Sequence, residues 1–238
     1  MYECVRRMKS YVTIPSAYQE PGKELWIDRS KLRGFLENVD YANQDFISKA
    51  HLFRESDRDL CLTHGNVVVL NIRRDLRDTI VSHYYHMLRD GRIRGSFSKY
   101  YWLLGRYKAW QVLQYHKLWS SPQFESRTFE FERLKTNFDE ELVRLAKAID
   151  VTLTDPDVTR IREETSLSNL SKQYGEDDRA EQDRFFRKGV IGDWQQHFDD
   201  RCLQDLVNLQ TRGLGLLGRA SYHVLFTARL AVQAPSSD

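Results

Sequence analysis

Cysteine is scarce in this chain, and the three that occur, Cys4, Cys61 and Cys202, are widely spaced and cannot all pair. That pattern excludes a disulfide framework and makes a reducing, cytoplasmic compartment the expectation. Cys61 and His64 form a lone C-x-x-H with no second pair, too little for a zinc site, so no metal is expected. Long apolar runs are missing too. The longest late one, residues 222–232, is interrupted by His223 and Arg229 and is too short to span a bilayer, and no signal peptide opens the chain. Charge of one sign is also lacking: 36 Lys and Arg stand against 34 Asp and Glu. Nothing general therefore points to nucleic acid, and any preference for an anion is local. No low-complexity linker divides the 238 residues, so one domain over 1–238 is expected, with 233–238 as a disordered tail.

What is present is organised around residues 67–86, VVVLNIRRDLRDTIVSHYYH. Val67, Val68, Val69, Leu70 and Ile72 form an apolar run without polar alternation, the pattern of a central strand buried on both faces of a parallel sheet. Asp75 and Asp78 precede Ile80, Val81, Tyr84 and Leu88 at helical spacing, which predicts a helix starting near those acids. Arg74 then ends the strand and Ser82 lies one turn into the helix, where open α/β sheets bind ligands. A guanidinium, a hydroxyl and helix amides suit a phosphate. Taken alone, the same segment reads equally well as Arg73, Arg74 and Arg77 pairing with Asp75 and Asp78 as solvated turn charges.

Elsewhere, periodicity predicts helices over residues 1–12, 28–39, 99–119 and 139–149 and another from Asp199, with Leu203, Leu206, Val207 and Leu209 buried. A loop is expected at 14–24 and strands at 45–52 and 128–134. Lys49 and His51, one residue apart at the end of the 45–52 stretch, point the same way and suggest a site at a strand end. The 99–119 helix is dense in rings, among them Tyr100, Tyr101, Trp102, Trp110 and Trp119, which cannot share one stripe. Core and amphipathic surface account for most, with the wall of an acceptor pocket as the alternative. Residues 171–183 are polar, as in a mobile flap or a plain solvated loop. In residues 185–194, FFRKGVIGDW, two adjacent cations precede a glycine, which leaves the backbone amide accessible to a phosphate while the cations balance its charge.

Together these segments resemble the PAPS-dependent sulfotransferases. Lys49-Ala50-His51-Leu52 is similar to the family's K-T-H-L-P. Arg74, Asp78 and Ser82 are similar to R-x-P-x-D-x-x-x-S, with Leu76 in place of the proline. Phe131-Glu132-Arg133-Leu134-Lys135 stands where the family has Y-E-D-L-K, so a ring remains while the tyrosine hydroxyl is lost, and Thr165-Ser166-Leu167 stands for T-S-F. Arg187, Lys188, Gly189, Gly192, Asp193 and Trp194 match R-K-G-x-x-G-D-W. The resemblance implies an α/β, three-layer P-loop-type fold, a central parallel sheet flanked by helices. It implies transfer of a sulfuryl group from 3′-phosphoadenosine 5′-phosphosulfate (PAPS) to the hydroxyl or amine of a small-molecule acceptor. His51 is then the general base and Lys49 the cation near the sulfuryl oxygens, while Arg74, Ser82, Thr165, Arg187, Lys188 and Gly189 hold the cofactor.

The family's 5′-phosphosulfate loop, P-K-S-G-T-T-W, has no counterpart: Lys9-Ser10 and Pro21-Gly22-Lys23 lack the glycine spacing that lets amides converge on a phosphate. An N-terminally incomplete domain with a weakened sheet is therefore expected. Either the chain is truncated and transfers sulfuryl groups when the loop is supplied, or it has lost catalysis. In the second case it is a non-catalytic 3′-phosphoadenosine-nucleotide binding or interaction module. A P-loop kinase ranks last, because it needs that loop and a magnesium carboxylate.

Overall fold

The computed structural model describes residues 1–41, 43–175 and 189–222. It is a mixed α/β structure whose contacts gather into two compact units, Met1–Arg74 with His116–Arg179, and Asp75–Tyr115 with Ala180–Asp238.

In the first unit, the strands Asn71–Arg73 and Thr128–Glu130 pair in parallel, with Ile72 opposite Phe129. The apolar residues ahead of them, 67–70, form no strand, and Val68 and Ile72 keep 42% and 43% of their surface exposed. The long strand buried on both faces is thus corrected to three residues with one face inward. The physical reason is that the described sheet holds only these two strands, so the run has no ladder on its other edge. Residues 45–52 likewise form no strand; they make isolated parallel bridges, Phe46 with Val12 and Lys49 with Trp26. The expected loop at 14–24 contains part of a hairpin, Gln19–Glu20 against Lys23–Ile27, turned at Gly22 with φ +72°. Residues 131–134 do not extend the second strand but open the helix Phe131–Thr136. The N-terminal helix is confined to Tyr2–Val5, and the helix Glu55–Thr63 had no forecast.

The core of this unit joins Phe129, Leu142, Leu145 and Ile161, all at 0% exposure, to Cys4 and Val5. The helix Phe138–Lys147 carries the expected apolar stripe and fastens itself to the sheet by charge. Its buried Glu141 carboxylate pairs with Arg133 at 2.8 Å and Arg144 at 2.6 Å, and Arg144 lies 3.9 Å over the Phe129 ring while donating to the Thr128 carbonyl. A second charged knot holds the N-terminal helix. Glu3, 8% exposed, accepts from the Tyr174 hydroxyl at 2.8 Å and pairs with Arg7, which also reaches Glu164. Burial alone pushes the Glu3 carboxyl up; the Arg7 and Tyr174 hydrogen bonds and the charges of Arg6 and Arg7 more than reverse this, leaving it below its ordinary value.

In the second unit, the helix Leu76–Arg89 starts where the acids predict, the Asp75 carboxylate accepting from the Arg77 amide at 2.8 Å, with Ile80 and Val81 at 0% exposure. The ring-rich stretch is one helical run of three kinds: α over Phe97–Tyr100, π over Tyr101–Gly105 and α over Arg106–Leu118. A Cβ at Gly105 would stand 2.9 Å from the Tyr100 ring, so this close approach requires glycine. Tyr100 and Tyr101 are buried, and Trp102, Tyr107 and Trp110 pack against the same core. The helix Asp200–Arg212 is capped by Asp199, which accepts from the Cys202 amide at 2.8 Å. It buries Cys202, Leu206 and Leu209, whereas Val207, expected inside, is 50% exposed because it follows Leu206 by about 100° of helical turn.

Because Glu3 titrates lower folded than unfolded, its contribution to stability is present above the unfolded carboxylate pKa and is lost as pH falls through the folded one. Glu3→Gln should therefore be less stable than wild type at neutral pH, with the gap closing in acid. Urea unfolding across a pH series checks this.

Candidate functional site

The surroundings of Lys49 and His51 are set by the strand Lys23–Ile27. The Lys49 amide donates to the Leu25 carbonyl at 2.8 Å, and its carbonyl accepts from the Ile27 amide at 3.1 Å. The bridge sets the Trp26 indole beside both residues: the His51 ring is 4.5 Å away, tilted by 38°, and Lys49 Nζ is 6.0 Å from the indole and 4.6 Å from the Tyr2 ring. Phe53 stacks on His51 at 5.7 Å. His51 is exposed, while Leu52 is buried and its carbonyl accepts the Trp119 indole N–H at 3.1 Å. The anchor is thus one residue past the histidine, which leaves the imidazole facing outward. Burial, chiefly, lowers the Lys49 pKa from its ordinary value, with Glu3 opposing and Arg6 adding to the effect. Sequence reading missed Trp26, since nothing in its own neighbourhood links it to a residue 25 positions later.

The two arginines after the strand part company. Arg73 donates to the His116 and Trp119 carbonyls, each at 3.3 Å, and so closes a helix end. Arg74 lays its guanidinium 4.5 Å over the Phe131 ring, the residue that keeps the family's aromatic position without its hydroxyl. Thr165, half-buried, follows the helix Asp155–Glu164 as expected; its hydroxyl donates to the Ile161 carbonyl at 2.7 Å and lies 3.9 Å from the Cys4 thiol.

In the second unit, Ser82 is exposed on the helix Leu76–Arg89. Asp78, 1% exposed, accepts from the Gly192 amide at 2.8 Å and the Trp194 amide at 3.0 Å. Arg77 adds a second tie, its guanidinium 3.7 Å over the Trp194 ring and its Nε donating to Asp75 at 3.0 Å. Gly189 and Gly192 take φ of +57° and +84°, which a side chain would strain. The stretch from Gly189 to Trp194 is therefore fastened at its C-terminal end to the start of this helix. Asp78 had been read as a helix-start acid; its role over more than a hundred residues gave no local signal. Arg187 and Lys188 lie outside the described residues, as do 176–183 of the expected flap and the 233–238 tail, whereas Ser171 belongs to the helix Leu167–Gln173.

A family model described as a sulfotransferase domain matches residues 31–213. The chain therefore belongs to the sulfotransferase family. It is 25% identical over 167 residues to Sulfotransferase 6B1 of Danio rerio, a match that covers 65% of this chain and 55% of that protein, so the chain spans about half the length of this curated relative. Among solved structures, mouse sulfotransferase SULT7A1 complexed with PAP is similar with a TM-score of 0.60 and 19% identity, over 94% of this chain and 83% of that one. Retinol dehydratase in complex with androsterone and inactive cofactor PAP gives 0.55 and 18%, over 76% of this chain and 58% of that one. At such identities the likeness is one of fold, and it agrees with the α/β class read from the sequence. Among the described residues no helix is long and apolar enough to cross a membrane.

The Asp78 tie gives a direct test. An asparagine offers one acceptor oxygen where aspartate offers two, so Asp78→Asn leaves one of the two amides without its carboxylate partner. It should cost about 1–3 kcal/mol. Urea unfolding reads the cost, and faster hydrogen exchange at the Gly192 and Trp194 amides locates it.

Proposed function

We propose that the chain binds PAPS and its product adenosine 3′,5′-bisphosphate, and that it transfers a sulfuryl group to the hydroxyl or amine of a small-molecule acceptor. The observation that carries this reading is the gathering of Lys49 and His51 around the Trp26 indole in a chain whose residues 31–213 match the sulfotransferase domain. The donor set fits an adenine nucleotide with an extra phosphate. Arg74 beside the Phe131 ring offers a cation and an aromatic face, and Gly189 holds a left-handed backbone. Arg74, Ser82, Arg187, Lys188 and Gly189 are proposed as 3′-phosphate residues and Thr165 as a nucleoside contact, on the strength of the motifs in which they stand.

PAPS, when bound, supplies the sulfuryl group. His51 takes the proton that the acceptor loses, through whichever ring nitrogen is unprotonated, and its exposure leaves it open to an acceptor arriving from solvent. Lys49 keeps a positive charge beside it to stabilise negative charge on sulfuryl oxygens. Three buried thiols, Cys4, Cys61 and Cys202, all unbridged, suit a cytoplasmic setting. The second reading is a 3′-phosphoadenosine-nucleotide binding or interaction module without catalysis, and binding without turnover is its signature.

Calorimetry should show adenosine 3′,5′-bisphosphate binding more tightly than adenosine 5′-phosphate and weakening with salt. Arg74→Ala should remove about 1.5–3 kcal/mol of that binding. Equal affinity for the two nucleotides, or no effect of the substitution, rejects the proposed phosphate residues. Where turnover is measured, in this chain or in one extended by the family's phosphosulfate loop, His51→Ala should lower the rate by about 10² to 10⁴.

A further inference from the structure

We infer that Trp26 is the positioning residue for His51: its indole face holds the imidazole in the plane from which it takes the acceptor's proton. This rests on the reading of His51 as general base and goes beyond it, since Trp26 lies outside every motif that supports that reading.

A general base must present one nitrogen along a defined direction, and a small misplacement costs rate. His51 is exposed and stands on a segment that forms isolated bridges rather than a regular strand. What the structure supplies is the Trp26 ring face, nearer to His51 than the Phe53 ring that stacks at 5.7 Å. The His51 and Trp26 centroids are 4.5 Å apart, within the range of attractive ring pairs, and the 38° tilt lets the planes overlap in part. The indole is itself fixed from behind. Its strand neighbours Leu25 and Ile27 bond to Lys49, and the Ile27 amide also reaches the Ser48 hydroxyl at 3.0 Å. Backbone pairing therefore fixes the distance from Trp26 to the segment that ends in His51, and the stack fixes the ring's plane.

The indole also faces cations. Lys23 Nζ is 5.4 Å and Lys49 Nζ 6.0 Å from its centroid, so the electron-rich face draws both ammonium groups toward the imidazole's neighbourhood. A residue that merely filled space would serve as well if it were leucine; one that acts through its ring would not.

The test combines NMR and turnover on Trp26→Phe, Trp26→Leu and His51→Gln. In the wild-type chain, the His51 ring protons, assigned by their loss in His51→Gln, should be shifted upfield and show cross-relaxation to the indole protons. Absence of both overturns the inference without recourse to any variant. Trp26→Phe should keep most of the upfield shift and Trp26→Leu should lose the part that the Phe53 ring does not supply; an unmoved His51 signal in folded Trp26→Leu overturns the inference. With PAPS and a simple phenol, Trp26→Leu should lower kcat roughly tenfold with KM little changed, and Trp26→Phe should recover most of it. If His51→Gln abolishes turnover while Trp26→Leu leaves it intact, the positioning role falls and the general-base reading stands. If His51→Gln leaves turnover intact, the base reading falls and this role falls with it.

Discussion

The parallel register of Asn71–Arg73 against Thr128–Glu130 is the constraint on which the first unit turns. Because Arg73 stands opposite Glu130, the next residues on each chain, Arg74 and Phe131, emerge side by side, and a guanidinium comes to lie on a ring. Successive side chains leave a strand on opposite faces, which is why adjacent arginines do different work: one closes a helix at the His116 and Trp119 carbonyls, the other waits at the strand end. Six residues of strand are little sheet. They hold because the helix behind them adds an ion-pair network through Glu141 and a guanidinium on Phe129, so charge fastens what backbone pairing alone would leave marginal.

The second unit relies on one buried carboxylate. Asp78 gives up its hydration and recovers hydrogen bonds from two backbone amides, those of Gly192 and Trp194. The Arg77 guanidinium on the Trp194 ring covers the same contact from the other flank. In this way a glycine-rich stretch, free by composition, is held at defined points.

Much of this was legible in the sequence, and the division follows physical range. The helix starts at Asp75 and Asp199 were readable because a cap acts within three residues of itself. The family motifs were readable because their spacing is local, and the family match confirms the resemblance drawn from them. The strands at 45–52 and 67–72 were misjudged for the opposite reason: composition states a preference for extended chain, but a strand exists only where a neighbour pairs with it, and Lys49 found Trp26 instead. Phe131 turned helical although TFEFERL alternates, since pairing stops at Glu130. Trp26 escaped notice, and so did the tie from Asp78 to Gly192 and Trp194, because each acts on a residue remote in sequence.

The π turn at Tyr101–Gly105 explains how the ring-rich helix keeps a single inner face. Phe97, Tyr101, Gly105 and Ala109 are all buried, at a constant interval of four. In an unbroken α-helix each interval of four overshoots a full turn by about 40°, so four such positions would wind away from the core. The wider turn absorbs part of that excess and returns Ala109 toward the side on which Phe97 began. The interval of four is therefore a phase-matched pattern, and removing one residue from this turn would rotate every later ring about the helix axis without altering a single side chain.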